Sequence, residues 1–398
     1  MAQSTQSQIL QGPNPGFRPQ SQIFQGPNPG FGPQSQIFIG PNPGFGPQSQ
    51  ILGVSPTPGL GPKRCLASLE SQHPPLRQSA HASGGVVGGE AGGGAGGAGA
   101  IPARAHRASL VERLRHHVAR LEGVRHPSAA PEHHRAARDY VAAELSALGL
   151  AVDLVPFSFR RRTYHNVVGV VPGRDPRRPR LLVGAHFDST AHTPGADDNA
   201  SGVAALLECA RFVAARAPAA GVEFVGLDLE ELQTITGRYR VGSQALARAK
   251  RARAEPLAGA LILEMVGYRD PAPGAQTVPP LLGIDVPRTG DFLAAVGDAR
   301  SGELLAGFVA AARAAVPELP VVAYRTRLRG WLQPLTRLSD NASFWDARYP
   351  SLMLTDTAFL RNPHYHQASD TSATLDYAFL AMVTEATVGA VVRLADAA

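Results

Sequence analysis

Four short apolar runs, RPRLLVGAHFD, VEFVGLDLEE, ALILEMVGY and PSLMLTDT, recur between residues 178 and 357 with helical periodicity among them. Apolar runs of this length without alternation belong in strands covered on both faces. Strands separated by helices pair in parallel, because each crossover returns the chain to the same end of the sheet. The helical stretches are residues 107–122 and 132–149, then ASGVAALLECARFVAARA with Asn199 or Ser201 as its N-cap, GSQALARAKRAR, and 373–396. LAVDLVPFSF and HNVVGVVPG read as two further strands. The expected fold is therefore α/β, a single domain with a mostly parallel, mixed central sheet flanked by helices.

That pattern occupies only part of the 398 residues. Of the 42 glycines and 34 prolines, 21 and 14 crowd into the first hundred positions. Residues 7–52 repeat a 14-residue unit, QSQIFQGPNPGFGP in its middle copy, with three prolines and no apolar face in each copy. Stacked copies bury too little surface to offset the entropy of ordering them. Residues 1–62 are expected to be disordered, 63–104 (with GGVVGGEAGGGAGGAGA) to be a low-complexity linker, and 105–398 to be the folded domain.

The net charge of +6 invites a nucleic-acid reading, but the arrangement of the charge does not support it. Lysine occurs only at Lys63 and Lys250, so the other 36 of the 38 basic residues are arginines. They are scattered, without a stripe or interleaved aromatics. Cys65 and Cys209 supply no disulfide framework and no thiolate metal site. No apolar run approaches the ~18 residues of a membrane span, and the start, MAQSTQSQIL, lacks the features of a secretory signal. Cytoplasm is the default compartment, with secretion left open; neither nucleic acid nor membrane is an expected partner.

The chemistry is carried at the strand ends, where sites form in sheets of this kind. His186 and Asp188 end one buried run, Glu230 and Glu231 the next, and Glu264 the one after. Asp197 and Asp198 lie in a loop just before a helix, and His366 in a loop after the last strand. A single strand-end acid is usually just solvated. A Glu-Glu pair beside His-Phe-Asp is costly unless a cation neutralises it. Two imidazoles and three carboxylates suit zinc.

In this order, GAHFDS, PGADDNASGVAALLE, LDLEE followed by GSQALA, LEMVGY, LSDNASFW and NPHYHQASDT resemble the zinc aminopeptidase family. That family includes bacterial leucyl aminopeptidases and aminopeptidase Y-like enzymes, and is related to glutamate carboxypeptidases and glutaminyl cyclases. The resemblance spans residues ~108 to 395. It implies a zinc-exopeptidase fold, two zinc ions per chain, a peptide substrate and hydrolysis of the N-terminal peptide bond. Carried over by position, it makes His186 and Glu264 ligands of one zinc and Glu231 and His366 ligands of the other, with Asp198 bridging. Glu230 becomes the general base and Asp188 the carboxylate that orients His186. Substrate-binding residues and oligomeric state stay unassigned.

Three departures bear on the reaction. Glu264 stands where many members have Asp, and Asn341 where the family has His after Ser-Asp. Ten residues, LQTITGRYRV, separate Glu231 from Gly242-Ser243, where the compact family form has about four. A glutaminyl-cyclase-like acyltransferase and a catalytically impaired metal-binding relative are the alternatives. His192 reads as a loop side chain, and His364, His116, His117, His133 and His134 as surface residues; Trp331 and Tyr324 are candidates for a pocket wall.

Overall fold

A computed structural model describes residues 104–231, 237–280 and 282–397. The expectations for the repeats and for the linker up to residue 103 fall outside the described residues, as do residues 232–236 of the stretch after Glu231.

Two helices, α1 (Arg104–Leu121) and α2 (Pro131–Ala147), lead into the antiparallel hairpin β1 (Ala151–Phe159) and β2 (Arg162–Val171). The apolar runs then give β3 (Arg180–His186), β4 (Val222–Leu227), β5 (Leu257–Glu264) and β8 (Ser351–Thr355). Between them lie α3 (Gly202–Ala214) and α4 (Val241–Ala252), and α7 (Tyr377–Ala397) closes the fold. Four elements that the periodicity reading leaves unmarked complete it: β6 (Leu293–Gly297), α5 (Gly302–Ala315), β7 (Val321–Arg325) and α6 (Asn341–Asp346).

All eight strands form one sheet, in the order β1-β2-β4-β3-β5-β8-β6-β7. The centre is parallel (β4-β3-β5-β8), β6 and β7 are parallel to each other, and antiparallel pairings join β2 to β4 and β6 to β8. Successive residues of a strand feed opposite faces. Leu181, Val183 and Ala185 of β3 join the core beneath α1, α3, α5 and α7, whereas Leu182 joins a second core with Leu246 and Ala247 of α4 and Phe344. A sheet covered on both sides explains why the central strands read as continuous apolar runs.

Three details correct the sequence reading. Helix α7, with mean hydropathy 1.6, is long and apolar enough to cross a bilayer, but 72% of its most apolar stretch is buried against the domain, and it packs on α3 and α5. His117 and His134 are buried rather than at the surface: His117 reaches Tyr140 and Glu208, and His134 reaches Asp228. Ser201 occupies the N-cap position of α3 but makes no capping bond; its hydroxyl donates to the Asp197 carbonyl. Asn199 instead brackets the end of β5, donating to the Leu263 carbonyl and accepting from the Met265 N–H.

Candidate metal centre

The carboxyl ends of β3, β4 and β5 lie side by side, so His186, the turn after Leu227 and Glu264 emerge at one edge of the parallel sheet. The Asp198 loop is steered towards them by Gly195, whose φ of +66° suits glycine and whose missing Cβ would collide with the Asp198 carbonyl. Beneath the loop lies Arg125, wholly buried. Its guanidinium donates to the carbonyls of Phe187, Pro194 and Gly195 at 2.8, 2.8 and 2.9 Å. From the other side, the Asp370 carboxylate accepts the main-chain N–H groups of Asp197 and Asp198 at 2.8 and 3.1 Å. Asp370 follows His366 by four residues, so one bracket ties the two segments together.

Two groups of donor atoms result, His186 with Asp198 and Glu264, and Asp198 with Glu231 and His366, each within 4.8 Å. Asp198 belongs to both. Its Oδ1 lies 3.3 Å from His186 Nε2 and its Oδ2 3.2 Å from His366 Nε2. Glu264 stands 3.4 Å from His186 Nε2, and Glu231 3.4 Å from His366 Nε2. Four ligands tetrahedral about zinc at ~2.0–2.1 Å are separated by roughly 3.3 Å, so these spacings suit a shared cation. His186 Nε2 itself is buried and makes no hydrogen bond, although two carboxylate oxygens face it.

The acid balance points the same way. Burial pushes Glu230 well above the usual carboxylate range, and burial with neighbouring Asp198 takes Glu231 to about 7. Burial also takes Asp340, whose carboxylate oxygens make no hydrogen bond, to about 7. Asp198 is the exception: burial opposes its charge, but the imidazoles of His186 and His366 hold it below the ordinary range. Burial opposes the charge of His186 as well, and the surrounding Glu264, Asp188 and Asp198 raise it well above the ordinary value. A dense set of acids with only two imidazoles among them fits divalent cations.

Glu230 lies in neither donor group, and among the described residues its Oε1 has no hydrogen-bond partner. The turn that carries it is held from both sides. The Asp188 carboxylate accepts the N–H of Glu230 at 3.0 Å and of Glu231 at 3.2 Å, and the Arg240 N–H donates to the Glu230 carbonyl at 2.7 Å. His186 Nδ1 faces the Asp188 carbonyl at 3.2 Å and its carboxylate at 3.4 Å. Asp188 thus anchors the Glu-Glu turn as well as facing the imidazole. On the opposite side, Ser339 Oγ donates to Glu264 Oε2 at 2.6 Å.

The other singled-out residues sit apart from the donors. Asn341 is buried and donates from Nδ2 to the Thr336 carbonyl. His364 bonds to Ser369 Oγ, and His192 belongs to neither donor group. Tyr324 lines the cavity beside the centre, whereas Trp331 is 62% exposed and stacks over Arg337. Sequence reasoning missed Arg125, Ser339, Asp370 and Tyr365. The Tyr365 ring lies on the His366 imidazole, with centroids 3.8 Å apart, and also lines the cavity. Its place immediately before His366 was the one available signal.

The cavity holds about 360 Å³. Asp198, Glu230, Glu231, Glu264 and His366 border it, and the rest of its wall is mostly apolar, including Phe292, Val296, Val322 and Met353. Among the described residues, no arginine or lysine lines it.

Residues 166–391 match Peptidase family M28. The Escherichia coli (strain K12) protein YfbL, itself uncharacterized, is 33% identical over 297 residues, 72% of this chain and 88% of that protein. The Legionella pneumophila LapA aminopeptidase superposes with a TM-score of 0.56 at 19% identity, over 73% of this chain and 71% of its own. A Tannerella forsythia glutaminyl cyclase superposes with a TM-score of 0.54 at 23% identity, over 74% and 99%. At such identities the two structures establish the shared fold. The family match and the similarity to YfbL establish more: the chain belongs to peptidase family M28 and is a metallopeptidase.

Proposed function

We propose that this chain is an aminopeptidase that removes single residues from the N-terminus of peptides, with two zinc ions held by His186, Asp198, Glu231, Glu264 and His366. The observation that carries the reading is the pair of donor groups sharing Asp198 at the buried end of an apolar cavity. Bound there, zinc supplies Lewis acidity towards the scissile carbonyl and lowers the pKa of a water.

The chain's own residues supply the rest. Glu230 is the general base: its Oε1, which no donor among the described residues occupies, accepts the proton of the attacking water and delivers it to the leaving amine. Asp188 and Arg240 hold its backbone in place. The apolar wall takes a hydrophobic first side chain. With no arginine or lysine among the described lining residues, the cavity lacks the side chains that most often grip a substrate carboxylate, which speaks against carboxypeptidase and dipeptidase activity.

The test compares leucyl peptides with free and acetylated N-termini, with zinc measured in the same preparation. Cleavage of the free form alone, with two ions per chain, is expected. Equal cleavage of both forms, or none by fully loaded protein, refutes the reading. Cyclisation of glutaminyl peptides outrunning leucine release replaces it with an acyltransferase.

A further inference from the structure

Among the described residues, five of the eight large apolar side chains that are exposed gather at one place. Ile284, Leu332, Leu335, Leu338 and Phe359, between 37 and 60% exposed, all line the cavity that holds the donor groups. They form its outer mouth, whereas the acids at the other end are buried, Asp198 at 3% and Glu231 at 4% exposure. Contiguous apolar surface at a cleft marks a binding site.

The mouth is also built to stay in place. The segment carrying Leu332, Leu335 and Leu338 is pinned by Arg337, which is buried, donates to the Arg329 carbonyl at 2.7 Å and pairs with both Asp346 oxygens at 2.8 and 2.9 Å. Gln333 adds two bonds, accepting from Thr326 Oγ1 at 2.9 Å and from Thr336 Oγ1 at 2.7 Å. These leucines are therefore held outward by bonded neighbours, at a cost in exposed apolar area that a bound ligand recovers.

We infer that this mouth is a subsite for the second and third residues of the substrate, and that the preferred substrates are peptides with two or three consecutive hydrophobic residues at their N-terminus. The inference rests on the aminopeptidase reading. In an exopeptidase of that kind only the first residue occupies the closed end. The rest of the peptide leaves through the mouth, past Ile284, Phe359 and the leucines that line the cavity.

The experiment uses the full-length, zinc-loaded protein and three peptides that share a first leucine: Leu-Phe-Leu-Ala, Leu-Ser-Ser-Ala and Leu-Asp-Asp-Ala. Burying two large side chains is worth roughly five- to sixfold each when partly complete, so kcat/KM for the first peptide should exceed the second by about thirtyfold, mainly through KM. The Leu332→Ser/Leu335→Ser variant should narrow that ratio to about threefold. Equal rates for the first two peptides in the wild-type protein overturn the subsite while leaving aminopeptidase activity intact. No release of leucine from any of them, at full zinc content, overturns the underlying reading instead. If the wild-type protein self-associates, the variant does not, and the ratio stays unchanged, the mouth is an interface between copies and the subsite is refuted.

Discussion

Glu208 and Glu231 are both buried carboxylates within reach of a histidine, yet their surroundings treat their charge in opposite ways. Glu208, on α3, accepts from Arg113 at 2.6 Å and Arg211 at 3.0 Å and lies 3.1 Å from His117 Nε2. Burial opposes its ionisation, but His117 and the two guanidinium groups hold it down at about 2. Glu231 sits among Asp198, Glu230 and Glu264, and burial takes it to about 7. The first cluster contains its own countercharge. The second sets Asp198, Glu230, Glu231 and Glu264 against the two imidazoles of His186 and His366, and that excess of acid separates a structural ion network from a site that calls for a cation.

The largest expected effect breaks the second region at its base. Glu230→Gln should lower kcat by about a thousandfold or more while two zinc ions per chain remain, because Glu230 lies in neither donor group. Asp198→Ala, which removes the donor common to both groups, should lose metal as well as activity. Near-normal turnover in Glu230→Gln disproves the general-base assignment, and full zinc content in Asp198→Ala disproves the shared ligand.

Metal removal should separate the regions next. A ligand present at a hundred times its dissociation constant adds about 2.7 kcal/mol to the folded state, or roughly 5–10 °C in Tm for a domain of this size. Dialysis against a chelator should therefore lower Tm by that amount, and zinc should restore it. Asp198→Ala should already melt low and should not respond to chelator. A wild-type Tm indifferent to chelation would show that the donor acids are neutralised by something other than a cation.

Glu208 should show the reverse pattern. Its folded pKa of about 2 lies below the usual glutamate value, so its stabilising contribution is complete above the unfolded pKa near 4.5 and is lost as pH falls towards 2. The wild-type domain should lose about 2–3 kcal/mol over that window on this group's account. Glu208→Gln should be less stable by a similar amount at neutral pH, with a flatter acid limb and unchanged zinc content and peptidase rate. Urea unfolding at pH 7, 4.5 and 3 measures all three.

The strand-end acids were legible in sequence because a charged pair closing an apolar run is costly unless it is used: His186, Glu230, Glu231 and Glu264 all carry that signal. The groups that position them were not legible. Arg125 reads as one more arginine in an arginine-rich chain, and only the fold shows five carbonyls converging on it. Asp370 and Ser339 act across 173 and 75 positions of sequence, respectively. Apart from Tyr324, the cavity wall escaped for a different reason: β6 and β7 are five-residue strands, one of them at the sheet edge, and too short to show periodicity. His117 and His134 misled in the opposite direction, since a histidine in a polar helical stretch looks solvated until its carboxylate partner, Glu208 or Asp228, is brought to it by another element.

The smallest expected effect tests where the centre ends. Asn341 occupies the position at which the sequence departs from the Ser-Asp-His pattern, but its one hydrogen bond from Nδ2 goes to the Thr336 carbonyl in the cavity wall. Asn341→Ala should then cost about 1 kcal/mol of stability, the worth of one net hydrogen bond, and shift KM by no more than about threefold, with zinc content unchanged. Ser339, two residues before it, holds Glu264. If Asn341→Ala lost zinc, the turn from Ser339 to Asn341 would be transmitting its shape to Glu264, and the boundary drawn between ligand set and cavity wall would have to move to include it. Zinc content and KM measured on the same preparation decide between a wall residue and a supporting residue of the centre.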